Sequence, residues 1–116
     1  MPKKYDLEDR TFEFAQNIRL FLKTIPKTLS NIEDSKQLTK SSGSVGANYI
    51  EANEALSKKD FLMRVKICRK EAKESTFWLK LIKEASVWEN ETEITELINE
   101  SIELKKIFSA IIEKSK

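Results

Sequence analysis

Apolar side chains recur along this chain every three or four residues almost from end to end, the spacing that gathers them on one face of an α-helix. The longest such run is Phe61, Val65, Cys68, Ala72, Ser75, Leu79 and Ile82, which step by four, three, four, three, four and three. It predicts a helix over 58–85 with that stripe facing the core. Ser57 followed by Asp60 has the spacing of a capping box, with Asp in the Glu place, and marks the start. Upstream, Leu7, Phe14, Ile18, Phe21 and Ile25 predict a first helix over 7–24, stopped by Pro26. Phe12 and Leu22 widen its apolar face, which calls for neighbours on at least two sides. Ile94, Leu97, Leu104, Phe108 and Ile111 predict a last helix over 91–114, entered through a second capping box of Asn90 and Glu93.

Propensity and periodicity disagree over the second element. SSGSVGAN, residues 41–48, is rich in residues that disfavour a helix interior by up to about 1 kcal/mol each relative to Ala. Yet Leu38, Ser42, Val45, Tyr49, Ala52 and Leu56 keep the helical steps straight through it, which a loop has no reason to do. The pattern therefore predicts one continuous helix over 31–56, with Thr28, Ser30 or Asn31 as its N-cap. A phosphate-cradling loop is disfavoured, since neither GxxxxGK[ST] nor GxGxxG is present and no strand precedes the segment. Gly43, Ser44, Gly46 and Ala47 instead make a flat strip for the close approach of another backbone, within the subunit or across an interface. Four long helices with short joins give a single all-α domain, an antiparallel up-down-up-down four-helix bundle.

Composition agrees, with two Gly and two Pro in 116 residues leaving few helix breakers. Cys68 is the lone cysteine and lies on the apolar stripe, where a small buried hydrophobe is expected rather than a reactive thiol. MPKKYDLEDRTF carries charges where a signal peptide needs an apolar run, and no apolar stretch is long enough to span a bilayer, so a cytoplasmic location is expected.

SGSVGANYIEANEALSKKDFLMRVKICRKEAKESTFWLKL resembles the signature region of the bacterial four-helix bundle family encoded in intervening sequences of 23S rRNA genes. YDLEDRTFEFA and IPKTL extend the likeness over most of the chain. The resemblance implies an up-down bundle that assembles into a barrel-like homopentamer. The family is similar in turn to the accessory protein of diversity-generating retroelements, a basic pentamer that associates with nucleic acid and a reverse transcriptase. This chain departs from that relative in being nearly neutral, with a net charge of +2.

That small number hides a division along the chain. Residues 1–57 are neutral overall, 58–83 carry a net +6 and 84–116 a net −4, so a basic third helix and an acidic fourth segment either face each other or face different partners. Lys59, Lys66, Arg69, Lys70, Lys73 and Lys80 project away from the apolar stripe as a ridge about 30 Å long, the span of several backbone phosphates. Nucleic acid bound there would be held through its backbone, with steep salt dependence and little sequence preference. Tyr49, Phe77, Trp78 and Trp88 are expected as core or interface anchors rather than stacking platforms.

Candidate chemistry is sparse. With no histidine, Ser-His and Cys-His nucleophiles and the Glu-x-x-His motifs of di-iron bundles are absent. Glu51 with Glu54 and Glu71 with Glu74 are expected to be surface ion-pairing groups, for instance to Arg64 or Lys58, and neither metal nor cofactor is expected. The chain is thus expected to be non-enzymatic and to bind RNA or other nucleic acid through the ridge, as a homo-oligomer, which the resemblance implies to be a pentamer. The alternative is a protein–protein assembly or adaptor module with no nucleic-acid role.

Overall fold

The computed structural model describes residues 6–116; the charged MPKK and Tyr5 of the first resemblance segment lie outside the described residues. Four helices follow one another: α1 (Leu7–Leu22), α2 (Leu29–Asn53), α3 (Lys58–Ala85) and α4 (Thr92–Lys114). Among the described residues there is no strand.

Each start has a local cause. The Asp6 side chain accepts the Asp9 amide, Thr28 that of Asn31 and Ser57 that of Asp60, so three N-termini have a side-chain cap for an otherwise unpaired donor. At the fourth, the expected box of Asn90 and Glu93 does not form. Asn90 Oδ1 instead takes the Thr92 amide at 2.8 Å and Glu91 becomes the cap, one residue later than expected.

Helix ends also differ from the periodic pattern. The Thr24 amide and hydroxyl both turn back to the Phe21 carbonyl, at 2.9 and 2.7 Å, and Ile25 is kept out of the helical region by Pro26, so α1 stops at Leu22 rather than 24. With Thr28 as its cap, α2 starts at Leu29, two residues earlier than the pattern predicts. It runs unbroken through residues 41–48 and stops at Asn53, three short of the predicted end. Glu54 and Ala55 tighten into three-residue hydrogen bonds to Glu51 and Ala52, and Leu56, placed on the stripe by spacing, is 98% exposed.

Cross-helix hydrogen bonds fix the sense of packing. Along α2 and α3, Asn31 meets Ser86, Ser41 meets Ser75 and Asn48 meets Arg64, partner numbers falling as the others rise. The same reversal links Glu8 to Asn53 and Arg19 to Thr39 on α1 and α2. Neighbours are therefore antiparallel, and α1 is flanked by α2 and α4, as its wide apolar face requires. Phe14, Ile18, Leu38, Val45, Val65, Leu79, Leu104 and Phe108 fill the core, with Cys68, Ala72 and Ser75 buried on the α3 stripe. Hydroxyl pairs Ser41–Ser75 (2.9 Å) and Thr76–Ser101 (2.6 Å) sit at the two α3 seams, where small side chains let the helices approach; in each pair one hydroxyl donates to the other, which keeps its own proton for a carbonyl of its helix.

Candidate nucleic-acid interface

The α3 stripe faces inward between α2 and α4, which leaves the cations of the same helix on its outer side. Lys59, Lys66, Lys70, Lys73 and Lys80 are exposed and Arg69 is half-buried. Lys66, Arg69, Lys70 and Lys73 converge with Lys105 and Ser109 of α4 around a depression of about 370 Å³ on the α3–α4 seam. Lys59 and Lys80 stand two turns beyond either end, about 10 Å away along the helix, and do not line it.

No carboxylate lines the depression, and among the described residues none of its five cations is in a salt bridge. Within α3, Lys66–Lys70, Arg69–Lys73, Lys66–Arg69 and Lys70–Lys73 are like-charge neighbours at helical spacing, each unfavourable by about 0.2–0.5 kcal/mol. An anion lying along the seam would offset those repulsions with attractions of its own.

The acidic fourth helix does not supply that anion. Glu93, Glu96 and Glu100 line a cleft of about 360 Å³ toward α1, together with Glu13 and Arg10. Arg10 grips Glu100 through two parallel bonds of 2.8 Å, the strong bidentate arrangement. Among the described residues only Lys83 and Glu91, 4.0 Å apart at the α3–α4 turn, pair the two charge blocks. The basic and acidic surfaces thus face different directions.

Among the aromatics, Trp88 donates to the Lys83 carbonyl at 2.7 Å and stacks on Phe21, and half-buried Tyr49 packs against Phe108. Trp78 is half-buried beside Phe77, the rings T-shaped with centroids 4.9 Å apart. Phe77 is not a core residue: it is 55% exposed, because the core stripe passes through Ser75 and Leu79 on the other side of α3. It lies four residues after Lys73 and three before Lys80, hence on their face, and adds a stacking surface to the ridge. Helical spacing alone could have found Phe77, whereas Lys105 reaches the site only through tertiary packing.

The Gly-rich strip lies partly under α1. A Cβ on Gly43 would stand 3.0 Å from Arg19 Nη2, and one on Gly46 would stand 3.0 Å from Thr11 Oγ1 and 3.3 Å from its Cβ. Ala47 is exposed on the outer side of α2.

The carboxylate pairs behave unlike the expectation. Among the described residues Glu51 and Glu54 form no ion pair, and Arg64 instead donates to Asn48 Oδ1 at 3.0 Å. Burial, then the charge of Glu74, raise the Glu71 pKa above its ordinary value, and Glu71 Oε2 has no hydrogen-bond partner. Burial likewise pushes the Cys68 thiol up to about 12. Among the described residues no group of three or more His, Cys, Asp or Glu is placed to hold a metal ion, and no helix is long and apolar enough to cross a membrane.

A protein of unknown function from the S23 ribosomal protein family of Bacteroides thetaiotaomicron VPI-5482, solved by crystallography, shares 31% identity and superposes with a TM-score of 0.80, covering 92% of this chain and 98% of its own. No curated protein matches. The profile of the 23S rRNA-intervening sequence proteins matches residues 3–110. With its four helices and its matched segment spanning nearly the whole sequence, the chain belongs to the 23S rRNA-intervening sequence protein family.

Proposed function

We propose that this protein is a non-enzymatic, cytoplasmic RNA-binding bundle that grips the phosphate backbone along the α3–α4 seam. The observation that carries the reading is the set of five convergent cations, Lys66, Arg69, Lys70, Lys73 and Lys105, without a carboxylate among them. Lys59 and Lys80 prolong the contact, and Phe77 offers a face on which an unpaired base can stack. Single-stranded or looped RNA suits this combination better than a regular duplex, whose bases are already stacked. The resemblance to the family's pentamers makes a homo-oligomer the working form, in which rotational repetition multiplies the seam.

A titration of fluorescent single-stranded RNA tests the proposal. Five phosphate contacts give a slope of log K against log salt of about −3.5, at roughly −0.7 per contact. Reversal of charge at Lys66, Arg69, Lys70 and Lys73 to Glu abolishes binding while the helical circular dichroism spectrum is kept. Phe77→Ala weakens single-strand binding by about 1–3 kcal/mol and leaves duplex binding unchanged. Full affinity in the four-site variant would sink the proposal.

A second reading, an assembly or adaptor module without nucleic acid, draws on the exposed Phe12 and Leu20, which flank a shallow apolar hollow of about 270 Å³ on α1. An intact oligomer that binds no RNA at low salt would favour it.

A further inference from the structure

At the other seam, where Pro26 parts α1 from α2, the chain leaves a groove of about 640 Å³. Leu22, Ile25, Pro26 and Ile32 give it apolar walls, and its volume falls in the range of pockets that take one small organic molecule. Its charged lining is all of one sign: Arg19, Lys23, Lys27 and Lys36, without a carboxylate. Lys36 is engaged with Glu33 at 3.6 Å, and Arg19 is steered by the neutral carbonyls of Ala15 and Thr39 at 3.1 and 3.2 Å, which leave its charge uncompensated. Among the described residues Lys23 and Lys27 have no ion-pair partner.

A second feature is independent of charge. Asn31, another residue of the groove, is 1% exposed. Its amide nitrogen donates to the Pro26 carbonyl at 3.1 Å and to Ser86 Oγ at 3.5 Å, but its Oδ1 accepts nothing. A buried amide oxygen without a donor is a rare and unfavourable feature in a folded chain, and it is relieved by a ligand hydroxyl or N–H.

We propose that this groove is a binding site for a small amphiphilic anion: an aryl or short acyl body between α1 and α2, an acidic group at Lys23 and Lys27, and a donor to Asn31 Oδ1. The site is independent of the α3–α4 seam and of any role in RNA binding. Apolar walls alone would admit a neutral molecule, so the uncompensated cations define the class.

The test is a fluorescence titration of the whole chain with 8-anilinonaphthalene-1-sulfonate, which carries an aryl body, an anionic group and an N–H donor. One probe per chain binds saturably, and decanoate displaces it while decyltrimethylammonium, of the same chain length and opposite charge, does not. Lys23→Glu combined with Lys27→Glu, both at exposed positions, weakens the probe about tenfold. Lys114→Glu, at the opposite end of the bundle, leaves it unchanged. Absence of saturable binding, equal displacement by the cationic competitor, or an unaltered affinity in the double variant overturns the proposal.

Discussion

Cys68 illustrates how a single side chain is read twice. Its place on the apolar stripe already makes it a small core residue, and packing against the interior turns that into a protonation preference, with the thiol pushed up to about 12 from an ordinary 9.0. Below pH 9 the thiol is protonated in both folded and unfolded chains, so its contribution to stability is complete. Above that the unfolded chain releases the proton while the folded one resists, and the contribution declines as pH rises toward 12. Urea denaturation of the protein and of Cys68→Ala at pH 7.5 and about 10.5 is therefore expected to show a stability gap that narrows at the higher pH; a constant gap would refute the assignment. Phe77 and Lys105 mark the limit of reading residues singly. Phe77 is aromatic enough to be taken for a core or interface anchor, and only its angle on α3 puts it among the lysines; Lys105 is one basic residue in an acidic segment until α4 packs beside α3.

At the scale of the element, α2 is where propensity and pattern conflict and pattern prevails. Its central glycines are kept in helical form by what lies across them, but the two are not equivalent. The neighbour of Gly43 is the far end of the Arg19 side chain, which can swing aside, whereas Gly46 faces the Cβ and hydroxyl of buried Thr11, with the Thr11 carbonyl carbon only 3.6 Å away. Gly43→Ala is accordingly expected to stabilise the protein by roughly 0.5–1 kcal/mol through helix propensity alone. Gly46→Ala gains the same propensity but must push α1 outward, and is expected to destabilise. Chemical denaturation of both variants decides the matter; equal shifts of the same sign would show that α1 does not rest on Gly46. Helix termini were the least legible part of the elements. Leu56 continues the α2 stripe in sequence yet stands in solvent, because the chain must extend at Ser57 to cap α3.

For the whole molecule the question is how its two charged surfaces are used. The α3–α4 seam is basic, the α1–α4 cleft is acidic, and α4 contributes to both from opposite sides. Surfaces of opposite sign on different faces can join copies head to tail as readily as they can recruit a polyanion. The two uses respond differently to salt. If the seam holds RNA and apolar contacts hold the oligomer, raising salt from about 0.05 to 0.5 M releases RNA while light scattering reports an unchanged mass. If the seam joins subunits, the same change breaks the oligomer.

The sequence by itself determined the four helices, their inward faces, the continuity of α2 through its glycines and the family, because amphipathic period and cap spacing are local properties written within a few turns of chain. It also determined that α3 carries a basic face. Which residues share a site was decided only by tertiary structure: Lys105 joining the α3 cations, Glu93, Glu96 and Glu100 turning to α1, and Asn31 lining a groove between α1 and α2 with an amide oxygen unsatisfied. The physical reason is that a helix has two flanks as well as a face. Periodicity identifies the face that is buried, but the neighbour each flank meets depends on how four helices pack around one core.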